Sequence, residues 1–248
     1  MDSPSARRPD SACRGAVVGR GGPTTWVGRG LAALVAVVGR FRPGRPFHPE
    51  GIWFTGTLLR RPGGDSGIDW IDRGGRDRIR VRLSRGIGLP SAWPDVLGLA
   101  LRCPLAGQGT ADLLLATTGR GPLSRYLLIP ERDLRRSFFS SMMPWRGAHG
   151  PVQLAAVGVP RPRPSSPDRA TLTAAPWEVE LLWARPNGRW TAFATASLTP
   201  DPAGDDRVRF DPLLHVPTGA RTYDWAARLR ERAYARARRS PDGSARDS

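Results

Sequence analysis

The sequence contains no lysine. All 38 basic residues are arginine, and with 22 acidic residues they give a formal net charge of +16. A protein that binds nucleic acid through phosphate contacts normally uses both cations, because lysine serves well as a simple phosphate contact. The exclusion of lysine from a whole chain is more typical of a bias toward GC-rich codons. We therefore expect no nucleic-acid partner, and we rank binding through net charge last.

Cysteine and long apolar runs are also scarce. The two cysteines are Cys13, in a segment with few apolar anchors, and Cys103, at the end of an apolar stretch. This placement favours neither a disulfide nor a zinc site and fits a reducing, cytoplasmic location. The apolar run at residues 31–38 is too short to cross a bilayer, so the sequence predicts no membrane span. Self-association into a homo-oligomer is left open.

Several common catalytic motifs are absent. The chain has no glycine-rich phosphate loop, no His-Glu-x-x-His pair and no nucleophile elbow. We interpret His149 as a loop residue and His215 as a core or surface histidine rather than a ligand. Asp95 and Asp112 each begin a predicted strand, where capping a turn is the expected role.

The residue pattern predicts one mainly β domain between two tails. Residues 1–24 and 240–248 read as disordered tails, and residues 25–239 as a single domain. Helices are expected at 25–40, 131–143 and 223–239. With 29 glycines and 25 prolines the chain is rich in turns. Strands are expected at 51–59, 79–84, 96–101, 112–118, 152–159, 177–184 and 189–198, with an edge strand at 207–210 and a loop at 61–77.

These strands predict either a closed antiparallel barrel of about eight strands with flanking helices or a sandwich, and the barrel is the fold class that we expect. Residues 79–84 alternate apolar and polar side chains, which indicates a strand with one buried face. Asn187-Gly188 between two alternating runs is a strong hairpin signal.

Two stretches present side chains suited to chemistry. His48 is flanked by Pro46 and Pro49, which favour extended backbone, so it is a candidate acid/base or ligand, or a histidine bonded to a carbonyl. Arg230 and Tyr234 are four residues apart and share one face of the last predicted helix. A guanidinium beside a phenol lowers the phenol's pKa and favours a phenolate, a hard anionic ligand for ferric iron. The same spacing also fits a solvated basic helix face.

Five motifs together resemble the haem-dependent catalase-like superfamily and follow that family's order. They are Arg45-x-x-His48-x-x-Gly51-x-x-x-x-Gly56, Val81-Arg82-Leu83-Ser84, Asp95-x-x-Gly98-Leu-Ala-Leu-Arg102, Asp112-Leu-Leu and Arg230-x-x-x-Tyr234. The resemblance implies an eight-stranded antiparallel barrel that binds haem b. It also implies a small-molecule peroxide as substrate.

The resemblance implies a role for each matching residue. Tyr234 would be the axial iron ligand, kept anionic by Arg230, and His48 would shuttle a proton between peroxide oxygens. Ser84 would hold the His48 ring. Arg82 and Arg45 would bind the haem propionates.

The sequence departs from the family at two places. The distal asparagine position falls on Ala116 or Thr117, and Ala235-Arg-Ala replaces the usual Pro-Asp-Thr after the tyrosine. We therefore expect peroxidase-type reduction of hydrogen peroxide or organic hydroperoxides rather than efficient disproportionation. The alternative is a non-catalytic catalase-like barrel that has lost haem or binds another small apolar ligand.

Overall fold

The computed structural model describes residues 51–86, 93–105, 107, 109–133, 135–159, 175–205, 208, 210–212, 214–225 and 228. Both predicted tails, the helix predicted at 25–40 and most of the helix predicted at 223–239 lie outside these residues. In that last segment Asp224, Trp225 and Arg228 are helical.

The described strands form one antiparallel sheet that closes on itself. The strand order is β5-β4-β3-β2-β1-β9-β8-β7-β6, and β5 also pairs with β7. Eight strands therefore make a closed barrel, which confirms the predicted fold class, and β6 extends β7 at the rim. The strands are β1 (Ile52–Arg60), β2 (Gly75–Arg85), β3 (Leu97–Leu105), β4 (Gly109–Thr117), β5 (Phe138–Ser140), β6 (Trp145–Gly147), β7 (Gly150–Gly158), β8 (Trp177–Ala184) and β9 (Thr191–Pro200).

The barrel interior is filled by alternate side chains from each strand. On β2 the buried residues are Ile79, Val81 and Leu83, and the residues between them are partly or fully exposed. Phe54 and Trp177 meet in the core with their ring centroids 5.8 Å apart. Since successive side chains of a strand point to opposite faces, burying Ile79, Val81 and Leu83 forces Arg80 and Arg82 onto the outer face.

The helix predicted at 131–143 is wrong. The Asp133 carboxylate accepts the backbone N–H groups of Arg135 at 3.0 Å and Arg136 at 3.3 Å, which makes a turn. The chain then enters β5, where Phe138 pairs with Val157 of β7. The neighbouring residue of β5 pairs with β4. Because this short strand joins the two halves of the sheet, tertiary pairing overrides local helix propensity.

Smaller differences concern the connections. The predicted loop at 61–77 contains a one-turn helix, α1 (Asp69–Asp72), and the start of β2. The Asn187-Gly188 hairpin is confirmed between β8 and β9. Of the edge strand predicted at 207–210, the described residues Val208 and Phe210 are not in a strand. Across the described ranges, no helix combines the length and apolar character that crossing a membrane requires.

Candidate functional site

Small side chains line the end of the barrel's outer face where β1 begins. Ser84 of β2 pairs with Gly98 of β3, and Gly98 pairs with Ala116 of β4. Gly51 directly precedes β1, and the pairing of Ile52 with Leu83 places it beside Ser84. All four are half-buried. We call Gly51, Ser84, Gly98 and Ala116 the small-residue face. It spans about 14 Å across neighbouring strands.

Arg82 borders the small-residue face. It lies two residues before Ser84 on the same side of β2, and its guanidinium lies over the Trp53 ring at 5.8 Å from the centroid. A Cβ atom added to Gly51 would lie 2.7 Å from Cζ of Arg82. The glycine therefore leaves space that the arginine side chain uses. The structure thus brings together Arg82 and Ser84, two of the residues predicted for the site.

The Ser84 hydroxyl is available for a hydrogen bond. Among the described residues it has no hydrogen-bond partner, and a Cβ atom on Gly98 would lie 2.9 Å from Oγ of Ser84. The space in front of this hydroxyl thus exists because residue 98 has no side chain. His48, which the resemblance implies as its partner, lies outside the described residues, as do Arg45, Arg230 and Tyr234.

The structure separates the two candidates for the missing asparagine position. Ala116 is on the outer face and pairs with Gly98. Thr117 is fully buried, and its hydroxyl accepts the Leu97 backbone N–H at 3.1 Å. Only Ala116 shares the face that carries Ser84. A methyl group therefore stands there, and it cannot hydrogen-bond a peroxide.

The small-residue face fits a flat, largely apolar ring that bears acidic groups. Its four positions carry no side chain longer than that of serine. The Arg82 side chain covers Gly51, so a ring could lie against Ser84, Gly98 and Ala116 beside that guanidinium. The planar guanidinium of Arg82 at the border suits a carboxylate, which it can bind through two parallel hydrogen bonds. Haem, a flat macrocycle with two propionates, has this chemistry. The described residues are therefore compatible with haem at this face.

A second polar site lies farther along the same outer face, on β3 and β4. The side chain of Asp112 is fully buried. It accepts Nε of Arg102 at 2.7 Å and Nη2 at 2.6 Å, and the Asp211 backbone N–H at 2.8 Å. His215 Nδ1 lies 2.8 Å from the same carboxylate. The loop that carries His215 is thereby fastened to the barrel wall.

Hydrogen bonding sets the protonation of this cluster. Burial raises the pKa of Asp112, but the hydrogen bonds from Arg102, His215 and the Asp211 amide outweigh it and hold that pKa below its ordinary value. A carboxylate only accepts hydrogen bonds, so Nδ1 of His215 carries the proton and a neutral ring keeps Nε2 as an acceptor. Asp112 therefore orients the imidazole, a role that the sequence interpretation as a turn cap missed.

Only the Arg102–Asp112 pair of this cluster could have been predicted from the sequence. A tight β3–β4 connection around Gly107 puts Arg102 opposite Asp112, as observed. His215 is 103 residues from Asp112 in the chain, and no local pattern links the two.

The described residues offer little for other chemistry. Burial strongly raises the pKa of the Cys103 thiol, so it stays protonated and unreactive. No group of three or more histidine, cysteine, aspartate and glutamate side chains in the described ranges could hold a metal ion.

No protein-family model matches this chain, and neither does any curated protein. Among solved structures it is similar to a bacterial catalase, with a TM-score of 0.47 and 15% sequence identity. The match covers 97% of this chain and 67% of the catalase chain. Similarity at this level does not establish a shared function.

Proposed function

We propose that the chain binds haem against the small-residue face and reduces hydrogen peroxide or organic hydroperoxides. The observation that carries this proposal is the row of small residues Gly51, Ser84, Gly98 and Ala116 on neighbouring strands, with the Arg82 guanidinium over Gly51 at its border. His48 is three residues before Gly51 in the sequence. Its backbone is thus within about 11 Å of this face, because one residue spans at most about 3.6 Å.

Residues of this chain would hold the haem and handle the proton. Arg82, with Arg45, would bind the propionates through charge-assisted hydrogen bonds. Tyr234 would bind the iron, and Arg230 would favour its phenolate form. Haem, when bound, supplies an iron that exchanges electrons with a peroxide. His48 would take a proton from one peroxide oxygen and return it to the other, with Ser84 fixing its ring.

Ala116 favours peroxidase chemistry over disproportionation. In the related motif an asparagine amide helps to place the peroxide, whereas here the equivalent outer-face position has only a methyl group. Without that amide, fewer groups orient a second peroxide, and a reducing cosubstrate would complete the turnover. We therefore expect measurable peroxidase activity and weak oxygen release.

Ala116 also favours a second candidate, a barrel that no longer acts on peroxide. In that case the small-residue face would bind another small apolar ligand. An absorption spectrum distinguishes these two candidate functions. Purified protein supplied with haem gives a Soret band and a tyrosinate charge-transfer band under the first, and stays colourless under the second.

Filling the small-residue face is expected to block haem binding. In the Gly98→Leu variant the new side chain would occupy the centre of the face, while the nearest obstacle is the movable Ser84 hydroxyl, so the barrel should still fold. We expect haem affinity to fall by at least about tenfold, as a bound ring would overlap the leucine. Haem titration followed at the Soret band measures this.

A matched control places leucine elsewhere on the outer surface. Ser197 of β9 is exposed and pairs with Thr57 and Glu178, so Ser197→Leu should keep the parent haem affinity. Equal affinity in the Gly98 variant and the parent would remove the small-residue face as the binding site.

The Tyr234→Phe variant tests the identity of the axial ligand, because it removes only the phenol oxygen. Tyr234→Phe barely changes side-chain volume or helix propensity, so the fold should persist while the tyrosinate band or haem affinity is lost. Tyr126 and Tyr223 are the rival tyrosines, and Tyr223 is stacked on Trp225 at 6.2 Å. If Tyr223→Phe loses the band and Tyr234→Phe keeps it, Tyr223 is the axial ligand. If Tyr126→Phe, Tyr223→Phe and Tyr234→Phe all keep the parent spectrum, no tyrosinate binds the iron.

A further inference from the structure

An open groove crosses the outer face of the barrel over β1, β2, β3 and β9, away from the small-residue face. Its volume is about 670 Å³, and Arg78, Arg80 and Arg102 line it with Thr55, Thr57 and Thr199. None of the residues that line it is acidic. We call it the arginine groove. Its volume lies in the range typical of small-molecule sites.

The register of the sheet explains why these side chains meet. Arg80 pairs with Thr55 of β1 on one side and with Arg102 of β3 on the other. Thr55 in turn pairs with Thr199 of β9. Cross-strand partners point to the same face, so one polar row runs from β9 to β3. Arg78 pairs with Thr57 in the next row.

Among the described residues, no acidic side chain offsets the charge of two of the three arginines. Arg102 is neutralised by the buried carboxylate of Asp112 at 2.6 Å. Within the described ranges no carboxylate lies within ion-pair distance of Arg78 or Arg80. Both side chains line the same groove, and an anion bound there would offset their positive charge. Charge of this kind is local and does not depend on the net charge of +16.

Aromatic contacts hold two of the guanidiniums in place. Arg80 lies over the Trp53 ring at 5.5 Å, and Arg102 lies over the Phe210 ring at 5.1 Å. Trp53 and Phe210 are themselves stacked at 5.9 Å. A guanidinium fixed in this way loses less conformational entropy when it binds an anion. Trp53 is only 5% exposed, so it cannot serve as a stacking platform for nucleic-acid bases.

The geometry points to the arginine groove as a binding site for a small organic diphosphate. One guanidinium can donate two parallel hydrogen bonds to two oxygens of a phosphate group. Threonine hydroxyls can donate hydrogen bonds to the remaining phosphate oxygens. The backbone positions of Arg78 and Arg80 are about 6.8 Å apart along β2, so each long side chain could bind a different phosphate of one diphosphate. The rest of the groove would hold the organic part. This site uses none of the residues assigned to haem and stands independently of the proposed function.

Pyrophosphate is the probe for this site, titrated calorimetrically into the full chain at low salt. We expect R78Q/R80Q to weaken binding by at least about tenfold, because each substitution removes a charge-assisted contact. Both residues face outward from a strand whose buried side is untouched, so circular dichroism should show an intact barrel. The control R132Q/R189Q removes the same charge at two exposed arginines outside the groove and should bind like the parent.

Three further measurements decide the ligand class and independence from haem. Succinate should bind at least about tenfold more weakly than pyrophosphate, and comparable affinity would overturn the preference for phosphate. Gly98→Leu should leave the affinity for pyrophosphate unchanged. A lower affinity in this variant would overturn the claim that the arginine groove is separate from the small-residue face. The affinity for a single-stranded oligothymidylate should be no lower in R78Q/R80Q than in R132Q/R189Q. If R78Q/R80Q and R132Q/R189Q lose equal affinity for pyrophosphate, the binding depends on overall charge and the proposal is overturned.

Discussion

Asp112→Asn is expected to lower the free energy of unfolding by about 3–5 kcal/mol, the usual cost of removing one partner from a buried ion pair. The carboxylate is fully buried and holds Arg102, His215 and the Asp211 amide at once. An asparagine has one acceptor oxygen and turns its NH₂ group toward other donors. Since the Arg102 side chain is 24% exposed, the lower end of this range is expected. Urea denaturation at neutral pH measures the loss.

The stabilisation that Asp112 provides should decrease in acid. The pKa of Asp112 is held below its ordinary value of 3.8 in the folded protein. Its contribution is therefore fully present above pH 3.8 and is lost as the pH falls through the lower folded pKa. The stability difference between the parent and Asp112→Asn should shrink as the pH falls below 3.8.

Asp69→Asn is the matched control. Asp69 pairs with Arg73 at 3.3 Å on the surface, with side chains 51% and 78% exposed. An exposed pair of this kind contributes less than about 1 kcal/mol. If Asp112→Asn costs no more than Asp69→Asn, the buried cluster does not fasten the His215 loop to the barrel.

His48→Ala is expected to reduce peroxide turnover by a factor of about 10²–10⁴ while haem binding is retained. This is the usual contribution of a positioned acid/base group, and an alanine cannot move a proton between the peroxide oxygens. The proposed iron ligand and propionate contacts lie on other residues, so the Soret band should persist. Stopped-flow turnover of the haem-loaded protein, normalised to haem content, measures the effect.

His149→Ala serves as the histidine control. His149 is exposed, and its Nδ1 lies 2.9 Å from Asp65. It is far in sequence from the motif that carries His48, and its loss should leave turnover at the parent level. An equal reduction in both variants, or no reduction in either, would rule out His48 as the proton carrier.

Much of the fold follows from local pattern. Alternation at 79–84 and the Asn187-Gly188 turn each predict a structure that needs only nearby residues, and both are observed. Alternation also decides which residues face outward, because a one-residue shift would bury Arg78, Arg80 and Arg82. The alternation at 79–84 places Arg80 and Arg82 together opposite the buried face, and in the structure they share that face with Ser84.

Other features depend on contacts between distant segments. Residues 138–140 became β5 rather than helix because β4 and β7 offered pairing partners on both sides. The Asp112–His215 bond joins residues 103 positions apart. The small-residue face and the arginine groove each need one residue from several strands.

The amino-acid sequence alone determined where most strands lie and which side chains point outward, since strand periodicity and turn chemistry act over a few residues. Only the tertiary structure decided that the sheet closes, because closure needs β5 to pair with both β4 and β7. It also decided which outward side chains become neighbours, because strand register sets those pairings. The register of β2 against β3 puts Gly98 beside Ser84 and Arg80 beside Arg102.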